Sequence, residues 1–388
     1  MTALSTRTND RPIVLRLRAG PAWPANLSWP PGEHSIVVIG SISTVSSAAS
    51  EVALTGIPID GGEPAVLVHP CNGRLVPTFN VEASQRAMKS ESYRPEHALP
   101  ISARLPFHYH RLPGFLRNAL AAAALARGKT RGFPAQLRDC GPLILSALFA
   151  QDTSENQGPL AVLTHDIDTA RGFDWIEAVA AVDESVGAKA CWNIVPRHYP
   201  INETTLSWLA GRGHEIGLHG IWHTNREAFL KPSEMACELD NLADFRNRFK
   251  IRSYRGPSWY RTAAMFDVLA GYFDTDLTTL DIDLVCPGGA GGVGTAQAFR
   301  IRPTLVEIPC TLPFEAPMVV GPRPQSLAEF WRPKVHLLKN ARGMAVVNTH
   351  PDPNYLGNES MLVEYRSLLT LLVETGWTFK LPREITVS

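Results

Sequence analysis

The sequence predicts an α/β fold in which helices cover a parallel sheet, either open or closed into a barrel. Three observations lead there. From about residue 158, short apolar runs alternate with segments of helical periodicity, and such alternation implies parallel strands joined by crossover helices. Hydrophobic residues make up 45% of the 388 and charged residues 19%, the balance of a core-forming globular protein. Polar residues of the kinds used for metal binding and proton transfer follow four of the predicted strands, the end at which these folds build active sites.

Residues 1–155 read as a small mixed α/β accessory domain with a connecting helix. Strand-like runs occur at 12–18, 35–41 and 65–69, punctuated by Pro, Gly and Ser. A basic and aromatic stretch, 104–117, runs into an Ala-rich helix candidate at 114–128. Segment 104–128 has a second reading, as a surface that docks on a membrane or a lipid-linked substrate. That reading rests on basic residues beside Phe107, Tyr109 and Phe115. His108 and His110 read as structural or surface residues.

Residues 156–388 read as the catalytic domain. Strands are predicted at 159–164, 189–195, 214–218, 251–255, 304–308, 344–348 and 376–380. Helices are predicted at 171–186, 202–211, 232–248, 262–270, 326–341 and 359–375. Asn202 supplies a capping side chain for the second, and Pro232 a favoured first residue for the third. The glycine-rich run 288–294 lacks the GK[ST] ending of a phosphate loop, so it reads as a rim loop.

Asp166 and Asp168 follow the first of these strands in LTHDIDTA, two positions apart and therefore on one face of an extended chain. Two carboxylates on one face need a positive partner. His219 and His223 follow the strand at 214–218, Arg255 ends the strand at 251–255, and His350 follows the strand at 344–348. The i, i+4 spacing of the two histidines puts both imidazoles on one face if the chain turns helical there. With one carboxylate they make a two-His, one-carboxylate set that leaves coordination positions open. An ion held there partners Asp168 and leaves Asp166 as a base. His165 faces away from both aspartates and reads as structural. Trp222 and Trp259 read equally as sugar-stacking rings or as core filling.

These motifs, in this order, resemble the polysaccharide deacetylases with the NodB-homology domain, the family 4 carbohydrate esterases. The matching segments are Thr164-His165-Asp166-Ile167-Asp168, His219-Gly220-Ile221-Trp222-His223, Arg255-Gly256-Pro257 and Thr349-His350-Pro351, spread over about 158–385. The resemblance implies a distorted (β/α) barrel of about seven strands carrying a divalent metal, usually Zn2+. It implies Asp168, His219 and His223 as metal ligands, Asp166 as general base paired with Arg255, and His350 as general acid. The first motif departs from the common FDDG form, and Gly220 stands where Ser or Thr is usual. Asp274, Asp276, Asp281 and Asp283 compete for the acidic fourth motif.

The function expected from this pattern is hydrolysis of an N-acyl amide, first of all N-deacetylation of an amino sugar or saccharide. The alternatives are hydrolysis of a formamide, ureide or cyclic imide, and a binding barrel without catalysis. Lys+Arg and Asp+Glu both number 37, so no basic excess points to nucleic acid. No obligate protein partner is inferable. The N-terminus lacks a continuous apolar h-region, and Arg7 and Arg11 interrupt it. A cytoplasmic location is therefore expected. The six cysteines form no CxxC pair and read as reduced thiols.

Overall fold

The computed structural model describes residues 13–18, 33–38, 68–71 and 74–77, then residues 158–387 apart from 225, 282–292, 294, 321–323 and 341–342. Within the first group β1 (Ile13–Arg18) pairs with β2 (Glu33–Val38), and β3 (Val68–Cys71) with β4 (Arg74–Pro77), each antiparallel. The stretch 104–128, His108, His110, Asp283 and all of 288–294 except Val293 lie outside the described residues.

The second group follows the strand–helix alternation. In chain order it contains β5 (Leu160–Ile167), α1 (Ile176–Ser185), β6 (Ala190–Ile194), α2 (Glu203–Gly211), β7 (Glu215–His219), α3 (Pro232–Asp240), α4 (Ala243–Arg248), β8 (Ser253–Arg255), α5 (Ala263–Leu269) and β9 (Thr275–Asp276). There follow β10 (Phe299–Arg302), β11 (Leu305–Glu307), β12 (Leu312–Pro313), α6 (Ala316–Val320), α7 (Leu327–Asn340), β13 (Ala345–Thr349), α8 (Glu359–Glu374) and β14 (Thr378–Phe379). Asn202 caps α2 by accepting from Thr205 N–H at 3.1 Å, and Asn358 caps α8 by accepting from Met361 N–H at 3.1 Å.

The sheet runs β10-β11-β9-β8-β7-β6-β5-β13-β12, with β14 paired to the start of β5. Every pairing is parallel except β10 with β11. The sheet curls into part of a barrel, as the NodB-like expectation requires. It has ten strands among the described residues rather than about seven. The additional ones, β9, β10 and β12, have two to four residues each. The single helix expected over 232–248 divides into α3 and α4, because Leu242 leaves the helical region (φ −101°, ψ 8°) to bury its side chain.

Central strands are buried on both faces, which is why they read as continuous apolar runs. The polar exceptions are informative. His165, fully buried, bonds Asp183 Oδ2 through Nε2 at 2.9 Å and Thr349 Oγ1 through Nδ1 at 2.6 Å. Tyr365 O–H donates to Asp183 Oδ1 at 2.7 Å. This network ties β5, α1, β13 and α8 together and leaves His165 no path to a ligand. The structural reading of His165 is the one the structure supports.

Candidate metal centre and active site

The polar groups predicted at strand ends come together where β5, β7, β8 and β13 end. Asp166 is the penultimate residue of β5, and Asp168 follows its end. His219 closes β7, Arg255 closes β8, and His350 follows β13. Parallel pairing of β5 with β6 and β13, of β6 with β7 and of β7 with β8 carries all of these ends to the same side of the sheet.

Asp168, His219 and His223 each offer one ligand atom, and the three atoms lie within 4.8 Å of one another. Asp168 Oδ1 is 3.3 Å from His219 Nε2 and 3.1 Å from His223 Nε2. Donors on a tetrahedral ion with bonds near 2.1 Å sit about 3.4 Å apart, so the spacing suits a cation. Asp168 Oδ1 is a buried oxygen without a hydrogen-bond partner, which a cation would satisfy. His219 Nδ1 donates to the Arg255 carbonyl at 3.2 Å. That bond places the lone pair on Nε2, facing Asp168. The residues present therefore fit a divalent ion, and the nitrogen and oxygen donors suit zinc.

The histidines do not meet as neighbours on a helix. Gly220 has φ +66° and His223 φ +57°, so the chain after β7 makes a tight loop rather than the helical turn expected. The imidazole centroids are nevertheless 4.8 Å apart.

Asp166 is held differently from Asp168. Its Oδ1 accepts from Arg255 Nη1 at 3.0 Å and from Asn193 Nδ2 at 2.8 Å. Its Oδ2 faces His219 Nε2 at 4.0 Å and His350 Nε2 at 3.9 Å. Burial by itself raises this carboxyl, but Arg255, His219 and His350, with the Asn193 amide, outweigh it and hold Asp166 below its usual range. Asp168 is treated alike: burial is overcome by His223 and His350 and by the close approach of the His219 and His223 rings, which hold it well below the usual value.

Arg255 is almost fully buried. Its Nε donates to the Leu277 carbonyl at 2.9 Å, and its Nη1 contacts Thr164 Oγ1 at 2.8 Å and Asn348 Oδ1. Its guanidinium lies 5.3 Å from the Trp259 ring centroid. Trp259 is 9% exposed and fills the core behind Arg255. Trp222 is half-buried, with Arg197 over its ring at 5.7 Å.

His350 has a partner that sequence reasoning missed. Glu315, just past β12, accepts from the His350 backbone N–H at 2.8 Å and lies 3.4 Å from Nδ1. Burial lowers the His350 pKa, but Asp168, Glu315 and Asp166 raise it more, to about 10. Of the acidic candidates named from sequence, the three among the described residues do not occupy this place. Asp274 is exposed beside Arg252, Asp276 accepts from Thr278 Oγ1 at 2.6 Å, and Asp281 pairs with Lys334 at 2.9 Å. A two-residue strand precedes Glu315, so the strand-end rule had no visible strand to act on.

Asp352 was also missed. It accepts from Asp168 N–H at 3.1 Å and from the Thr169 hydroxyl, and so fixes the backbone that carries Asp168. Burial and the Asp168 charge push Asp352 up to about 6. Cys191, Cys237 and Cys310 are free thiols. Among the described residues no helix is long and apolar enough to cross a membrane.

No protein-family profile and no curated protein matches the chain. Solved structures are similar at a distance. One is a Mycobacterium smegmatis protein assigned as a polysaccharide deacetylase, at 17% identity and a TM-score of 0.46, covering 57% of this chain and 86% of that one. Another is a chitin deacetylase from Colletotrichum lindemuthianum, at 14% identity and a TM-score of 0.40, covering 58% and 86%. A third is a Bacillus anthracis pseudoenzyme of the same esterase family, at 14% identity and a TM-score of 0.40, covering 59% and 66%. At these distances the likeness transfers no chemistry to this chain, which stands on its own geometry.

Proposed function

We propose that the chain is a metal-dependent hydrolase of N-acyl amides whose substrates are N-acetylated amino sugars or saccharides. The observation that carries this is the division of labour around Asp166. Its Oδ2 lies 4.0 Å from Nε2 of His219, one of the ligand set Asp168, His219 and His223, and 3.9 Å from Nε2 of His350, whose Nδ1 is 3.4 Å from Glu315. A divalent cation, Zn2+ by its donor set, supplies Lewis-acid polarisation and acidifies water when bound there. The residues do the rest.

Asp166 is ionised at neutral pH and accepts the proton of the attacking water at Oδ2, the oxygen that Arg255 and Asn193 leave open. Arg255 fixes the carboxylate plane and favours its charged form. His350 is protonated and gives its Nε2 proton to the departing amine nitrogen, while Glu315 holds Nδ1. An amide needs help at both ends, because its carbon is a poor electrophile and an amine a poor leaving group. A base and an acid 3.9 Å apart, Asp166 Oδ2 and His350 Nε2, provide both.

The motif resemblance is what supports a saccharide substrate, since the same base and acid would serve other amides. The test is a mass-spectrometric screen of N-acetylated, formylated and ureido compounds with the full chain, with and without chelator. Acetate release from N-acetylglucosamine-type compounds, stopped by chelator and restored by Zn2+, is expected. Products only from formyl or ureido compounds would move the substrate class. No chelator-sensitive product from any amide would overturn the enzymatic reading.

A further inference from the structure

We propose that Glu227 is a positioning residue that locks the loop between His219 and His223 into the shape that brings both to the ion. This rests on the reading that Asp168, His219 and His223 hold a divalent cation. Three of the four loop residues that follow Gly220 donate backbone N–H groups to the Glu227 carboxylate. Ile221 N–H meets Oε2 at 2.6 Å, and Trp222 and Thr224 N–H meet Oε1 at 2.9 and 2.8 Å. Glu227 is 2% exposed, so these donors replace the water its carboxylate would otherwise need.

The same carboxylate occupies the space beside Gly220. A Cβ at that position would lie 2.3 Å from Glu227 Oε2 and 2.7 Å from Pro257 Cγ. Gly220 at φ +66° and Glu227 are therefore one device, in which the glycine makes room and the carboxylate fills it. The departure from Ser or Thr at position 220 has its structural reason here. His223 at φ +57° sits in a conformation that a non-glycine residue holds only when its surroundings impose it. The Glu227 bonds, on both sides of His223 in sequence, supply that constraint. Groups that orient metal ligands in this way commonly change metal affinity about tenfold to a hundredfold when altered.

The experiment compares Zn2+ affinity, by competition with a chromophoric chelator, in the full-length wild-type chain and in Glu227→Gln, Glu227→Asp and Glu215→Gln. Cobalt-loaded samples give visible spectra that report ligand geometry without reference to turnover. Glu227→Gln keeps the volume but turns an amide N–H toward a backbone donor. Glu227→Asp keeps the charge but is one methylene too short. Glu215→Gln loses a comparable buried carboxylate, which accepts from Ser253 Oγ and Arg383 N–H away from the loop. The expected result is binding about tenfold to a hundredfold weaker in both Glu227 variants, altered cobalt spectra, and wild-type behaviour in Glu215→Gln.

Wild-type affinity and spectrum in Glu227→Gln would overturn the proposal. So would equal weakening in Glu215→Gln, which would mark a general loss of stability. Wild-type affinity in Glu227→Asp alone would overturn it too, since charge rather than position would then be the cause. A wild-type chain that binds neither Zn2+ nor Co2+ overturns it together with the reading beneath it. Wild-type binding with unaffected variants overturns this proposal only.

Discussion

Replacing Asp166 with Asn separates the two aspartates that the sequence places side by side. The amide keeps an oxygen where Asp166 Oδ1 accepts from Arg255 Nη1 and Asn193 Nδ2. It puts an NH2 where Oδ2 faces His219 and His350. Arg255 retains Thr164 Oγ1, Asn348 Oδ1 and the Leu277 carbonyl. The cost to folding is therefore that of one weakened charge-assisted bond, about 1–3 kcal/mol. Catalysis loses its proton acceptor, worth about 10²–10⁴ in rate, or roughly 3–5.5 kcal/mol of barrier. The proposed ligands Asp168, His219 and His223 are untouched, so the proposed zinc binding should be retained. The assay is kcat on the amide identified by the screen, with metal content measured on the same sample by atomic spectroscopy. An Asn variant that loses zinc yet keeps turnover per bound ion would refute the assignment and exchange the roles of Asp166 and Asp168.

His219→Ala removes a ligand and the bond that holds the Arg255 carbonyl; zinc and turnover should both vanish, and a zinc-replete, active variant would contradict the centre. Glu315→Gln removes a charge that helps raise His350 to about 10. His350 acts as an acid only while protonated, so activity falls as pH rises through its pKa, and the alkaline limb of kcat/KM should move down by about one unit or more; an unmoved limb would remove Glu315 from the pair. Burial pushes Asp276 up from the usual carboxylate range to about 7. A carboxyl raised in the folded state contributes stability that is complete below about pH 4 and is lost as pH rises toward 7. Asp276→Asn should therefore stabilise the chain at pH 8, by up to about 4 kcal/mol at 1.36 kcal/mol per unit, with little effect at pH 4. Urea melts at the two pH values decide this, and equal effects at both would contradict a buried, protonated carboxyl.

The residues that were legible share one property. Asp166, Asp168, His219, Arg255 and His350 each lie at or just past the end of a strand that the sequence predicts. Glu315 follows a two-residue strand and Glu227 lies in a loop turn, so neither stood where a periodicity argument could look. His219 and His223 stood out by their spacing, and the structure brings their rings together by another route. An i, i+4 pair suggests a helix, whereas Gly220 and His223 at positive φ close a loop instead. The fourth acidic motif stayed open because sequence spacing ranks four nearby aspartates equally. Only the fold shows that Asp274 is exposed, Asp276 is buried beside Thr278, and Asp281 is paired with Lys334.

The sequence by itself determined the strand–helix alternation, the side of the sheet where chemistry collects, and the residue types able to hold a cation and move protons. Those are local properties, set by periodicity, side-chain chemistry and the parallel connection rule. The tertiary structure decided which groups share an atom. It gave Asp166 Oδ1 to Arg255 and Asn193, turned Asp168 Oδ1 toward two imidazoles, and set Glu315 behind His350. Those contacts join residues 27 to 89 positions apart along the chain, and the bond between His165 and Thr349 spans 184. Hydrogen bonds and charge interactions act over a few ångströms of space, so such distances exist only once the sheet has brought its strand ends together.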